Sequence, residues 1–85
     1  MPILRLLAEI WSIPQVSKIG ILADESGVQL RVLLTEEDRP SRSRIYTAER
    51  EYLNTTAPHG FNLWASPMSR AGKTFPPPFE LVLDR

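Results

Sequence analysis

The chain has no cysteine, one histidine and four glycines among its 85 residues. Without cysteine, neither a disulfide nor a thiolate metal site can support the fold. The single histidine, His59, excludes a histidine-rich zinc set as well. Charge of one sign is also missing. Ten Lys and Arg oppose ten Asp and Glu, a formal net charge of zero, so no global field draws the chain to nucleic acid or an anionic membrane. Long apolar runs are absent too, and nothing approaches the roughly 18 uninterrupted residues that span a bilayer. The apolar segment from Met1 to Trp11 is broken by Arg5 and Glu9 and lacks the basic leader and small-residue cleavage site of a secretory signal. Together these absences predict a cytoplasmic chain with no cofactor and no metal.

What is present fits one small domain over residues 1–85, with 42% hydrophobic and 24% charged residues. A core of this size is marginal alone, and with disulfides and metal excluded, oligomerisation is the remaining support. Eight of the ten cations are arginine, which suits planar carboxylate pairing but is equally the bias of a GC-rich genome.

Ile3, Leu6, Leu7, Ile10 and Trp11 recur at helical spacing, with Pro2 suited to a helix start and Pro14 to its stop. From Val16 the period becomes two. Ile19, Ile21 and Ala23 share one face of a strand and Lys18, Gly20 and Leu22 the other. Val28, Leu30, Val32 and Leu34 then alternate with Gln29, Arg31, Leu33 and Thr35, and Asp24-Glu25-Ser26-Gly27 between the two strands predicts a hairpin loop of three to five residues. Acids before Pro40-Ser41 mark a helix entry, capped by Asp38 or Ser41, with Ile45, Ala48, Tyr52 and Leu53 as its apolar stripe. This helix frays at Asn54-Thr55-Thr56 and ends in Ala57-Pro58-His59-Gly60. Phe61, Leu63 and Ala65 face the core from a third strand and Trp64 faces away. After a polar loop from Pro67 to Thr74 and the stiff Pro76-Pro77-Pro78, the segment Phe79 to Leu83 reads as an edge strand. The prediction is a two-layer α+β domain of order α-β-β-α-β-β. Two helices pack on one face of a mainly antiparallel sheet of three to four strands.

No motif tested carries chemistry. Ala71-Gly72-Lys73-Thr74 ends like a phosphate loop, but Pro67 takes the first glycine position and no helix can begin at Phe75-Pro76-Pro77-Pro78. His59 lies between Pro58 and Gly60 with no Ser or Asp at a telling spacing, and reads as a loop residue. Glu36-Glu37-Asp38 lacks the alternation and glycine turn of a calcium loop. Asn54-Thr55-Thr56 fits the glycosylation pattern but reads as a helix terminus. Phe75-Pro76-Pro77-Pro78-Phe79 is either a rigid connector or a polyproline ligand for an aromatic groove. No catalytic residues are assigned, and the chain is read as a binding module rather than an enzyme.

Two interaction readings follow. Arg39, Arg42, Arg44 and Arg50 on or beside the second helix are candidate anion contacts for RNA or DNA, although Glu36, Glu37, Asp38, Glu49 and Glu51 are interleaved with them. The element order is similar to that of type II KH-like small domains, a resemblance that implies RNA binding. The Gly-x-x-Gly clamp of that family is absent, since Gly20, Gly27, Gly60 and Gly72 lie far apart.

The other reading rests on the sheet. If both helices cover the face of Ile19, Ile21, Leu30, Val32, Leu34, Leu63, Leu81 and Leu83, the opposite face collects Leu22, Leu33, Trp64 and Val82, rimmed by Lys18, Gln29, Arg31 and Glu80. Such a patch is either an interface, most simply of a homodimer, or is covered internally after a shift of parity at a bulge or a fold-over of the C-terminal segment.

Overall fold

A computed structural model describes residues 2–56, 60–72, 74–75 and 77–85, so His59, Lys73 and Pro76 lie outside the described residues. The order is α1 (Pro2–Trp11), β1 (Val16–Asp24), β2 (Gly27–Leu34), α2 (Arg39–Thr56), β3 (Phe61–Pro67), α3 (Met68–Ala71) and β4 (Glu80–Asp84). The predicted α+β class and two-layer plan hold. One element is added, the single turn α3 inside the stretch read as a polar loop.

The four strands form one sheet in the order β3-β2-β1-β4. β1 pairs antiparallel with both β2 and β4, whereas β3 runs parallel to β2. That parallel pair follows from the connection, because α2 carries the chain back to the start of the sheet before β3 begins. Both long helices lie on one face. Leu6 and Ile10 of α1 and Ile45 and Ala48 of α2 join Val16, Ile19, Leu30, Val32, Leu34, Leu63 and Ala65 in one core, with Ile13 sealing the α1–β1 turn.

Local chemistry explains the joints. Asp24 and Gly27 pair across a connection of only Glu25 and Ser26, tighter than the predicted loop. The Asp24 carboxylate accepts the Ser26 N–H at 2.9 Å and its hydroxyl at 2.6 Å. Gly27 has φ 137° and Gly60 φ 65°, and a Cβ at Gly27 would sit 1.9 Å from the Gly60 carbonyl oxygen. The hairpin tip therefore closes directly on the entry to β3, where Val28 N–H donates to Gly60 O at 3.0 Å. At α2, Asp38 rather than Ser41 is the cap, accepting both the Ser41 N–H and its hydroxyl. The buried stripe runs Ser41, Ile45, Ala48 with Tyr52 half-buried, while Leu53, expected on it, is 38% exposed. Leu53 is one residue past Tyr52, about 100° around the helix axis and off the core side.

Two bulges reset the strand phases. Val16 pairs with Leu34 but Lys18 with Leu33, so Ser17 is the extra residue and both Val16 and Ile19 reach the core. In β4, Leu83 pairs with Ile19 but Leu81 with Gly20, so Val82 is extra. Leu83 packs on the core as expected, whereas Leu81, read as a core residue, lies opposite Gly20 on the outer face of the sheet. One inserted residue reverses the parity of everything beyond it.

Candidate functional site

The outer face of the sheet is built by β2 and β3. Arg31 of β2 is the register partner of Gly20 on β1 and of Trp64 on β3, so arginine and indole stand side by side, away from the helices. This face is not bare. After β3 the chain turns through α3 and lays Phe75 across the middle strands, where its ring sits 2.8 Å from the place a Cβ at Gly20 would take. Phe79 follows, its ring 6.4 Å from that of Phe75.

That fold-over divides the four residues placed together by alternation. Leu33 is 3% exposed, shut in beneath the segment that follows β3 and apart from the main core, so it offers no surface to a partner. Leu22 is half-buried. Trp64 remains 47% exposed and Val82 43%, and Leu81, moved to this face by the β4 bulge, is 51% exposed. The physical reason is local: α3 and Phe75 supply a cover over the centre of the sheet, leaving apolar residues toward its two edge strands.

Arg31, read as part of a polar rim, stands instead at the centre. Its Cζ lies 5.6 Å from the Trp64 ring centroid and 4.9 Å from that of Phe79, both within cation–π range. Its Nε is buried with no hydrogen-bond partner among the described residues, and it takes part in none of their ion pairs. Beside it opens a cavity of about 190 Å³ whose lining includes Arg31, Leu33, Trp64, Ser66, Thr74 and Phe75. Lys18, expected on the rim, bonds the Asp84 carboxylate.

The chain matches no known family model, no curated protein and no solved structure. Its chemistry is therefore read from its own side chains. Among the described residues no group of three or more His, Asp or Glu could hold a metal ion, and no helix is long and apolar enough to cross a membrane.

Three of the four arginines of α2 share one side and the fourth does not: Arg42 lies about 60° around the axis from Arg39. Arg39 and Arg50 fall on one side, eleven residues and about 16 Å apart, while Arg44 lies about 140° around the axis from Arg39. Arg42 donates to Glu37 at 3.0 Å, and Arg70 approaches the same carboxylate at 3.7 Å. A larger hollow of about 660 Å³ separates α1 from the end of α2, lined by Arg5, Glu9, Glu51, Tyr52 and Thr55 among others. It is the less informative of the two cavities. Arg5 and Glu9 are already a pair at 3.8 Å, and the Tyr52 ring packs 5.0 Å from that of Phe61.

Two carboxyls are shifted, Asp24 at the hairpin tip and Glu49 on α2. The Ser26 hydroxyl and N–H hold Asp24 below the ordinary carboxylate value, whereas burial raises Glu49. No signal in the alternation pointed to the Arg31 cavity, because Phe75 lies beside the stiff proline connector and Phe79 reads as the start of an edge strand. The cue was a lone arginine inside an apolar strand.

Proposed function

We propose that the chain is a binding module that self-associates through the outer face of its sheet, a homodimer being the simplest form. The observation that carries this reading is the exposure on that face of Trp64 at one edge strand and of Leu81, with its neighbour Val82, at the other. Large apolar side chains so placed favour a covered state. Face pairing is preferred to edge pairing. The β3 edge is partly taken by α2, where the Tyr46 hydroxyl accepts the Ala65 N–H at 3.4 Å. The β4 edge is five residues long, bulged at Val82 and ended by Glu80 and Asp84, all features that oppose strand addition. The molecule measures 31 × 28 × 17 Å, so its broad side can supply the roughly 800 Å² per partner of a standard interface. A second copy is the partner that needs no other gene product, and a two-fold contact would support a small core.

The test is absolute mass by light scattering across a concentration series, for the wild type and for Trp64→Glu and Leu81→Glu. A dimer mass that falls to the monomer in either variant, with unchanged circular dichroism, supports the reading. A wild-type monomer at every concentration removes it. The alternative, nucleic-acid binding through Arg39, Arg42, Arg44 and Arg50, requires an affinity that falls steeply with salt. The engagement of Arg42 with Glu37, and the position of Arg44 off the side shared by Arg39, Arg42 and Arg50, favour it less.

A further inference from the structure

The geometry points to a second property of the same face: we infer that the cavity beside Arg31 is a binding site for one carboxylate group carried on a small apolar body. Arg31 is a cation with no paired anion among the described residues. Its guanidinium lies within cation–π range of both Trp64 and Phe79, its Nε is buried without a partner among the described residues, and no carboxylate among them pairs with it. A buried donor left unpaired is a standing cost, which an incoming acceptor relieves if it draws the guanidinium toward itself. The planar fork of arginine matches a carboxylate in two parallel hydrogen bonds.

The walls specify the rest of the ligand. Leu33, Trp64 and Phe75 are apolar, and Ser66 and Thr74 bring the only hydroxyls among the lining residues. At about 190 Å³ the space is smaller than the roughly 300–1,000 Å³ of pockets for drug-sized ligands. It suits a single ring or one side chain. With one guanidinium among its described lining residues, a monoanion is the better charge match than a doubly charged phosphate. Trp64 and Thr74 are exposed, so the site has an opening to solvent. Two sources share this chemistry, a free aryl or alkyl carboxylic acid and the terminal carboxylate of a peptide ending in an apolar residue. The inference does not require self-association, and a monomer with a saturable carboxylate site would retire the dimer and keep the site.

The experiment is a titration of the isotope-labelled chain by two-dimensional NMR with sodium benzoate, at ionic strength held constant with sodium chloride. Benzamide, equal in shape and uncharged, is the control that needs no variant. Saturable shifts confined to Arg31, Trp64, Ser66 and Thr74 are expected with benzoate and not with benzamide. Arg31→Met, with its fold checked by the same spectrum, is expected to weaken benzoate by roughly tenfold or more. A parallel arm uses acetyl-Gly-Gly-Phe with a free or an amidated terminus, and the tighter of benzoate and the free peptide assigns the source. Absence of saturable shifts with both acids, equal binding of benzamide, or undiminished binding by Arg31→Met would overturn the site.

Discussion

The guanidinium of Arg85 lies 4.2 Å from the centroid of the Trp11 ring, joining the last residue of the chain to the last turn of α1. The contact closes a specific account. Helix ends leave carbonyls without intrahelical donors, and the Arg85 Nη2 donates to the Trp11 oxygen at 2.5 Å, while its Nη1 donates to the Ile13, Pro14 and Val16 oxygens of the turn and strand that follow at 3.1, 3.2 and 3.0 Å. Arg85→Ala is expected to lower unfolding free energy by about 1–3 kcal/mol in urea titration. Arg85→Lys should recover only part, since a single ammonium cannot reproduce the fork.

Phe75 and Gly20 form the contact that fixes the cover on the outer face. A methyl at position 20 would sit 2.8 Å from the Phe75 ring, closer than carbon atoms pack. Gly20→Ala is expected to cost about 1–3 kcal/mol as overpacking. Phe75→Leu in the same chain should return part of that loss, and a double-mutant cycle on the two positions reads their coupling directly.

Leu33 and Trp64 separate burial from surface on one face of the sheet. Leu33 is shut in, so Leu33→Ala should destabilise by about 2–5 kcal/mol in chemical denaturation. Trp64→Ser, at a position 47% exposed, should move the denaturation midpoint far less. A large stability loss from Trp64→Ser with little from Leu33→Ala would reverse the assignment of which residue is covered.

Asp24 gives the hairpin a pH dependence with a definite sign. The Ser26 hydroxyl and N–H lower its carboxyl below the value of the unfolded chain. In the window between the two values the unfolded state binds more protons, so stability rises with pH across it. The contribution is present above the unfolded value and is lost as pH falls through the folded one. Asp24→Asn should therefore flatten the acid side of the stability–pH curve, read by urea midpoints at successive pH values. Glu49 acts in the opposite sense, because burial raises its carboxyl above the value of the unfolded chain and stability is gained as pH falls from the folded value to the unfolded one. Glu49→Gln should remove that component.

The elements were legible because each rests on a short repeat. Period 3.6 over Ile3–Trp11 and period two over Val28–Leu34 can be read from neighbours in the chain, and both fit the structure. The parallel pairing of β2 with β3 was not written in any local pattern, because alternation looks the same for either direction. Leu81 shows the limit most clearly. Its parity was reckoned from a regular strand, and the extra residue Val82 turned it to the other face.

By itself the sequence determined the class of the fold, the core residues of α1, Ile45 and Ala48 of α2, those of β2 and β3, and the outward direction of Trp64, since these follow from hydrophobic period. The tertiary structure decided what the outer face became. Whether Leu33 meets solvent or is shut in, and whether Arg31 sits on a rim or within cation–π range of Trp64 and Phe79, depends on where the segment after β3 comes to rest. That segment has no period to declare its place. Its path is set by the absence of a side chain at Gly20 and by apolar surface left open above the sheet, contacts between residues far apart in the chain that only the folded chain brings together.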